Sequence, residues 1–222
     1  MRKIITSILL TALLFLCGQA RAQIVPGAGY LYSSEVSVSG DSKSDPDVFN
    51  GFYVGASYKI SLDGGFYVAP GLYANMLLHN ESAVKGSSKA GLAVQGTYRE
   101  VALNVPINLA YMYELNDNVS VMAFAGPVVQ FGLISKTTVS GTANVDIFGL
   151  KFSYTDGKEV NYYDSEDGSR NRFNVYLGGG VGVQVGDLLF TLGYDHNLLD
   201  IDRYDNIKTN RNQIKVGVSF NL

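Results

Sequence analysis

Apolar and polar residues alternate along most of this chain, and the pattern is clearest at its carboxy terminus. From residue 214 to residue 222, apolar side chains occupy the even positions and polar or small side chains the odd positions. Because successive side chains of a β-strand point to opposite faces, this period of two predicts a strand with one apolar and one polar face.

The same alternation recurs in eight segments, each with its apolar residues on one parity. The predicted strands are 27–38, 51–62, 66–78, 99–115, 119–135, 173–185, 188–199 and 212–222. No helical periodicity separates them, so the fold class is predicted to be all-β.

The connections between these strands alternate between short and long. Residues 63–65, 116–118 and 186–187 are rich in Gly, Asn and Asp, which tolerate the positive φ of tight hairpin turns. The polar stretches 39–50, 79–98, 136–172 and 200–211 are predicted to be long loops. This arrangement predicts an eight-stranded antiparallel up-and-down transmembrane β-barrel with short periplasmic turns and long extracellular loops.

The amino terminus predicts export. Residues 1–22 combine a basic start, an apolar run from 4 to 16 and the small residues Ala20 and Ala22, a pattern typical of a cleaved secretory signal peptide. Cys17 follows Leu16, which is too bulky for the usual lipid-attachment box, so a lipoprotein is disfavoured. The domains are therefore predicted as a signal peptide at 1–22 and an outer-membrane β-barrel domain at 23–222.

Composition narrows the class of protein further. Loss of residues 1–22 would remove Arg2, Lys3 and Arg21 and leave 14 basic and 20 acidic residues, with no cysteine. A mildly acidic chain without a basic run argues against nucleic-acid binding, and the fold is expected to form without disulfides.

A soluble periplasmic barrel that binds a hydrophobic ligand is an alternative. Its outer face would carry dense Lys and Glu, whereas the polar parity here is mostly Gly, Ala, Ser, Asn and Tyr. The two barrels predict opposite directions for Val216 and Val218, which face lipid in one and a cavity in the other.

A motif resembles one known family. Residues 100–111 form an apolar strand with Pro106 at its centre, and Ala125, Gly126 and Pro127 follow on the next strand. This pair of strands is similar to the PorT-like outer-membrane β-barrel family of Bacteroidetes. The resemblance implies a small eight-stranded barrel in the outer membrane of the cell envelope, and it does not transfer a secretion role.

The polar parity of the strands predicts a lumen polar network. Its charged members are Glu35, Lys59, Glu100, Glu114, Asp195 and Lys215. Because a buried charge must be paired, an ion pair centred on Lys215, with Glu35 or Asp195 as partner, is expected to cross or line the lumen. An eight-stranded barrel is narrow, so a packed lumen is expected and an open pore is not.

The apolar parity predicts contacts with the membrane. Six tyrosines near strand ends are expected to form membrane-interface girdles, namely Tyr30, Tyr32, Tyr58, Tyr111, Tyr113 and Tyr194. Phe220 and Leu222 are expected to be the assembly signal. Outer-membrane lipids and the barrel-assembly machinery are the corresponding partners.

Candidate catalytic groups are few, so no enzyme activity, cofactor or metal site is predicted. A membrane-embedded lipid or peptide hydrolase is the alternative, and it requires His79 or His196 within hydrogen-bond reach of a Ser, Asp or Glu. The acidic stretches 41–47 and 164–168 do not fit the twelve-residue calcium loop.

The loop 136–172 is the segment most expected to have a function. Phe148, Leu150, Phe152 and Tyr154 alternate with smaller or polar residues, which predicts a hairpin that continues above the membrane. Its edge is expected to bind an extracellular protein or glycan. A ten-stranded barrel that uses this segment in the membrane is the alternative.

Overall fold

The computed structural model describes residues 22–40, 42–87, 90–147, 150–163, 169–203 and 207–221, which are mostly β-structure. The predicted signal peptide lies outside the described residues except for Ala22, so it stays a prediction. The strands are β1 (Ala22–Ser39), β2 (Ser42–Lys43), β3 (Asp47–Ser61), β4 (Phe66–Ser87), β5 (Ala90–Asn116), β6 (Val119–Ile147), β7 (Leu150–Asn161), β8 (Phe173–Val185), β9 (Leu188–Asn197) and β10 (Lys208–Phe220). None of the described residues forms a helix long and apolar enough to cross a membrane.

Eight of these strands close into an antiparallel ring. The order around it is β1, β3, β4, β5, β6, β8, β9 and β10, and β10 pairs with β1 from Gly27↔Ser219 to Val38↔Lys208. The strand β2 pairs with the end of β1, and β7 pairs with β6 outside the ring. The prediction of an eight-stranded barrel is therefore confirmed, and the ten-stranded alternative is wrong.

Tight turns join the strands at one end of the barrel, as predicted. A single 3-10 turn, Asp63–Gly65, joins β3 to β4, and Gly64 and Gly65 have φ angles of 72° and 84°. Gly186, at φ 58°, lies in the turn between β8 and β9. These left-handed conformations explain why glycine occupies the turns. We call this the short-turn end and the opposite one the long-loop end.

Several strands are longer than the alternation indicates. The stretch 79–98, predicted as a loop, is a hairpin in which β4 and β5 pair up to Ser87↔Ala90. The first part of 136–172 forms the β6–β7 hairpin, as predicted, with pairing from Lys136↔Asn161 to Ile147↔Leu150. Backbone pairing does not require an apolar face, so the hydrophobic pattern underestimates strands that leave the membrane region.

The apolar parity faces outward and the polar parity faces the lumen. Val216 and Val218 are 51% and 40% exposed on the outer face, so the soluble barrel with an inward apolar face is wrong. The buried polar side chains are Ser33, Glu35, Asn75, Glu100, Asn104, Gln130, Ser135, Asn174, Asp195, Asn197, Thr209, Arg211 and Gln213. A polar interior beneath an apolar outer band is the inverse of a soluble protein and suits a lipid solvent.

The motif strands β5 and β6 approach each other closely around Pro106. Pro106 pairs with Val128, and the regular register resumes at Leu109↔Ala125. A Cβ on Gly126 would lie 2.1 Å from the carbonyl oxygen of Ile107. Glycine is therefore required at the centre of the Ala-Gly-Pro motif for this approach.

Candidate functional site

Four charged side chains form a layer inside the barrel towards the long-loop end. This ion-pair layer consists of Glu35 on β1, Glu100 on β5, Arg211 on β10 and Arg170 between β7 and β8. Glu35, Glu100 and Arg211 are at most 3% exposed, and Arg170 is 15% exposed. Two guanidinium groups thus face two carboxylates, and the layer is electrically neutral.

Arg211 spans the barrel. It donates from Nη1 to Glu100 Oε1 at 2.6 Å and from Nη2 to Glu100 Oε2 at 2.7 Å, while its Nε donates to Glu35 Oε1 at 2.6 Å. The strands β10 and β5 are separated by three strands in either direction around the ring. The bidentate pair therefore crosses the full diameter of the lumen and obstructs it.

Arg170 completes the ion-pair layer on the side of the long-loop end. Its Nη2 donates to Glu35 Oε2 at 2.7 Å, and its Nη1 lies 3.0 Å from the Tyr98 hydroxyl and 3.5 Å from Glu100 Oε2. Burial lowers the pKa of the Arg170 guanidinium, but Glu35, Tyr98 and Glu100 together raise it more, and the pKa lies above its ordinary value. Arg170 is consequently a permanent cation in this position.

Two segments meet over the mouth of the barrel and hold Arg170 there. We call the described residues 162–163, 169–172 and 198–203 the cap. The backbone N–H of Asn171 donates to Ile201 O at 2.7 Å, and the backbone N–H of Arg203 donates to Ser169 O at 2.8 Å. The side chain of Asn171 donates to the carbonyl oxygens of Asp200 and Asp202 at 3.1 and 3.0 Å.

Tyrosines join the cap to the barrel wall. A Cβ on Gly132 of β6 would lie 2.1 Å from the Tyr163 hydroxyl, so this phenol occupies the space that a side chain at 132 would need. Burial raises the pKa of the Tyr163 phenol well above its ordinary value. Tyr162 packs against a buried cluster of Leu31, Phe49, Leu77 and Tyr98. The cap is thereby seated by apolar contacts as well as by charge.

A cavity of about 140 Å³ lies below the layer and reaches the short-turn end. Lys215 Nζ donates to Asp195 Oδ2 on its wall. The expectation of a packed lumen therefore holds at the level of the ion-pair layer and is wrong below it. The small residues of the inner face, such as Gly193 and Ala110, leave this space unfilled.

The six residues of the predicted lumen network fall into three places. Glu35 and Glu100 belong to the ion-pair layer, and Asp195 pairs with Lys215 on the cavity wall. Lys59 lies 4.9 Å from the centroid of the Tyr67 ring, and Glu114 is exposed near the short-turn end. Glu35 pairs with Arg211 and Arg170 rather than with Lys215, because its carboxylate lies at their level of the barrel.

The predicted interface aromatics lie on the outer parity. Tyr30, Tyr111, Tyr113 and Tyr194 are 39–56% exposed, and Tyr32 and Tyr58 are half-buried. Tyr194 also donates from its hydroxyl to Asn212 Oδ1 at 2.8 Å. Phe220 faces outward at 42% exposure, and Leu222 lies outside the described residues.

The two histidine Nδ1 atoms contact a backbone carbonyl and an amide side chain of the described residues. His79 Nδ1 lies 2.6 Å from the carbonyl oxygen of Val48, and His196 Nδ1 lies 2.7 Å from Asn212 Oδ1. A carbonyl and an amide at these nitrogens do not activate a nucleophile. Within the described part of the chain, no group of three or more His, Cys, Asp or Glu is placed to hold a metal ion; residues 41 and 164–168 of the acidic stretches lie outside it.

Arg170 and Arg211 are the residues that the sequence interpretation missed. Arg211 has the inward, odd parity of its strand, but the predicted strand began at 212 and placed Arg211 in a loop. Extending the parity rule to Lys208, where β10 begins, finds it. Arg170 lies outside the named strands, so no periodic signal marks it.

Sequence comparison identifies the family. Residues 8–221 match the model of the outer membrane protein beta-barrel domain. A search of curated proteins finds no significant match.

Solved structures of similar fold include Ail, the attachment invasion locus protein of Yersinia pestis, at 10% identity and a TM-score of 0.36. They also include Neisserial surface protein A, at 14% identity and a TM-score of 0.37. In both cases the alignment covers 90% of this chain and 99% of the other. Because residues 8–221 match the family model and the strands close into a ring with an outer apolar band, the protein is located in the outer membrane and belongs to the outer membrane protein β-barrel domain family.

Proposed function

We propose that this protein is a surface-recognition protein whose binding element is a sheet that stands above the barrel at the long-loop end. Long loops of such barrels face the cell exterior. The observation that supports the proposal is that three strands of the ring, β4, β5 and β6, continue past it and form one antiparallel sheet with β7. We call this the extended sheet.

The register defines this sheet. Its base is the row Leu78, Arg99, Lys136 and Asn161, in which each residue pairs with the next across β4, β5, β6 and β7. A higher row is formed in the same way by Ser82, Gln95, Ser140 and Gly157. The sheet rises nine residues above its base to Ser87, or about 30 Å at the usual rise of a strand.

The outer edge of β7 is the candidate binding surface. Among the described strands, β7 pairs with β6 alone, so one side of a twelve-residue strand has no strand partner. Such an edge can hydrogen bond an extended peptide, which then adds as a further strand. We therefore propose an extended segment of an extracellular protein as the ligand, in preference to a glycan.

The finer family assignment stays a proposal as well. Residues 100–111 and 125–127 support membership of the PorT-like group of Bacteroidetes barrels. The absence of enzyme activity is likewise an expectation.

Peptide selection tests strand addition directly. Peptides of eight to ten residues would be selected against the protein in lipid nanodiscs and their affinities measured. Replacing residues 141–156 by Asn-Gly, which turns directly between the paired Ser140 and Gly157, should abolish binding. Replacing 83–94 between Ser82 and Gln95 removes a similar part of the sheet but leaves all of β7 and its pairing with β6 in place, and binding should persist.

Backbone methylation distinguishes strand addition from side-chain recognition. N-methylation of the alternate peptide residues whose N–H groups point towards β7 should abolish binding, and methylation of the intervening residues should not. Binding that is insensitive to both, or binding of glycans by an array with no peptide selected, would contradict the proposal.

A further inference from the structure

The cavity below the ion-pair layer has the features of a small-molecule site. Its wall carries the aromatic rings of Tyr53, Tyr67, Tyr73 and Phe124 and the side chain of Leu189. Lys59 and Asn221, both half-buried, also line it and lie near strand ends at the short-turn end, so the cavity is reached from that side. A volume of about 140 Å³ is comparable with cavities that hold a single aromatic ring.

Two amide groups on this wall lack partners. The Nδ2 atoms of Asn75 and Asn104 donate no hydrogen bond to any residue that the structure describes, and the two residues are only 3% and 2% exposed. Asn75 pairs with Ala102 across the β4–β5 ladder and Asn104 with Tyr73, so the two amides are diagonal neighbours on the same inner face. A buried donor without an acceptor is unfavourable, so a ligand oxygen that accepts from it is favoured.

The direction of the Asn104 amide is set by a chain of hydrogen bonds. The Tyr176 hydroxyl donates to Gln130 Oε1 at 3.0 Å, and Gln130 Nε2 donates to Asn104 Oδ1 at 3.0 Å. Because the carbonyl of Asn104 is thus occupied, its NH₂ group remains for another acceptor. The cavity wall therefore presents two N–H donor groups, and a ligand oxygen that accepts hydrogen bonds would complement them.

We infer that this cavity binds a single-ring apolar molecule that carries a carbonyl or carboxylate oxygen, held by the amides of Asn75 and Asn104. The ring packs against the aromatic wall and the oxygen accepts from the two NH₂ groups. The ion-pair layer closes the cavity above, so the ligand enters and leaves from the short-turn end. This site is independent of the extended sheet.

Methionine methyl groups report on binding without an activity assay. Met112 and Met122 line the cavity, whereas Met76 alternates with the buried Asn75 and Leu77 and so faces outward. In the full protein labelled with ¹³C-methyl methionine, benzamide or benzoate should shift the Met112 and Met122 signals saturably and leave Met76 unmoved. Benzamide tests a neutral carbonyl and benzoate a carboxylate, and binding of either supports the site.

Toluene and one substitution test the donors. Toluene, which has no acceptor, should bind about three- to tenfold more weakly than the better oxygen ligand. Asn75→Leu removes one of the two donors and should reduce that preference while toluene affinity is kept. Asn108→Leu is the matched control, because Asn108 lines the cavity without a buried unpartnered amide, and the preference should remain.

Other results would overturn the inference. Equal shifts of all three methionines would show partition into the membrane mimic, and no saturable shift would show a cavity that holds only water. Equal affinity for toluene and the oxygen ligands, or an unchanged preference in Asn75→Leu, would remove the role of the donors. Heat-modifiable mobility on SDS gels verifies that each variant folds, and Asn75→Ala serves if Asn75→Leu does not.

Discussion

Buried polar side chains are arranged differently in the two halves of the lumen. Towards the long-loop end, four charges lie in one neutral layer and Arg211 reaches across the barrel to Glu100. Towards the short-turn end, a cavity remains, and the pair of Lys215 and Asp195 lies on its wall. The inward-facing positions of the same strands supply the side chains of both halves.

The difference follows from side-chain length and access to water. Arginine and tyrosine are long enough to meet at the axis of the barrel, where a charge without water must have a partner. In the lower half, aromatic side chains are interleaved with small residues such as Gly193 and Ala110, so space stays open between them. The upper half should therefore depend on each charged partner, and the lower half should tolerate the loss of one.

Removal of Arg211 should have the largest effect. Arg211→Met leaves Glu35 and Glu100 buried with Arg170 as their remaining cation, and we expect a loss of about 3–5 kcal/mol in the free energy of unfolding. Urea unfolding of the protein in lipid vesicles measures it. Lys208→Met, on the same strand but exposed, is the matched control.

The double variant Arg211→Met with Glu100→Gln sharpens this prediction. Because it removes one uncompensated carboxylate, it should be more stable than Arg211→Met alone. If Arg211→Met unfolds at the same urea concentration as Lys208→Met, the pair across the lumen does not stabilise the barrel.

Removal of Arg170 should loosen the cap and leave the ring intact. Arg170→Ala breaks charged hydrogen bonds that each contribute about 1.5–3 kcal/mol. The backbone amides of Asn171 and Arg203 form hydrogen bonds across the cap, so their hydrogens should exchange with deuterium faster. We expect the free energy of local opening to fall by about 1–3 kcal/mol there, while the amides of β8 and β9 exchange as before. The control is Arg203→Ala, since this side chain is exposed; equal exchange in both variants would mean that Arg170 does not hold the cap.

Removal of Lys215 should have the smallest effect of the three. Its side chain is 20% exposed and that of Asp195 is 7% exposed, so water in the cavity can solvate the carboxylate that remains. We expect Lys215→Met to lose about 1 kcal/mol in the same urea experiment. A loss of stability as large as that of Arg211→Met would mean that the two halves of the lumen do not differ in this respect. No loss of stability relative to the exposed Lys43→Met would show that the ion pair contributes nothing.

The sequence by itself determined the ring and its orientation towards solvent. Alternation with a period of two predicts strands with two different faces. Small and polar residues on one face and apolar residues on the other fit a closed barrel whose outer surface contacts lipid. The tight turns at Gly64 and Gly186 were readable for a related reason, because positive φ restricts the residue type. Glu35 and Glu100 were also found this way, as inward charges.

Only the tertiary structure decided which charges meet and where the lumen is filled. The partners Glu100 and Arg211 are 111 residues apart and lie on opposite sides of the ring, a relation that depends on the shear of the closed barrel. Arg170 reaches the layer from outside the named strands, where no periodicity exists. The cavity depends on the sum of many small side chains around a ring, which no local pattern in the chain records.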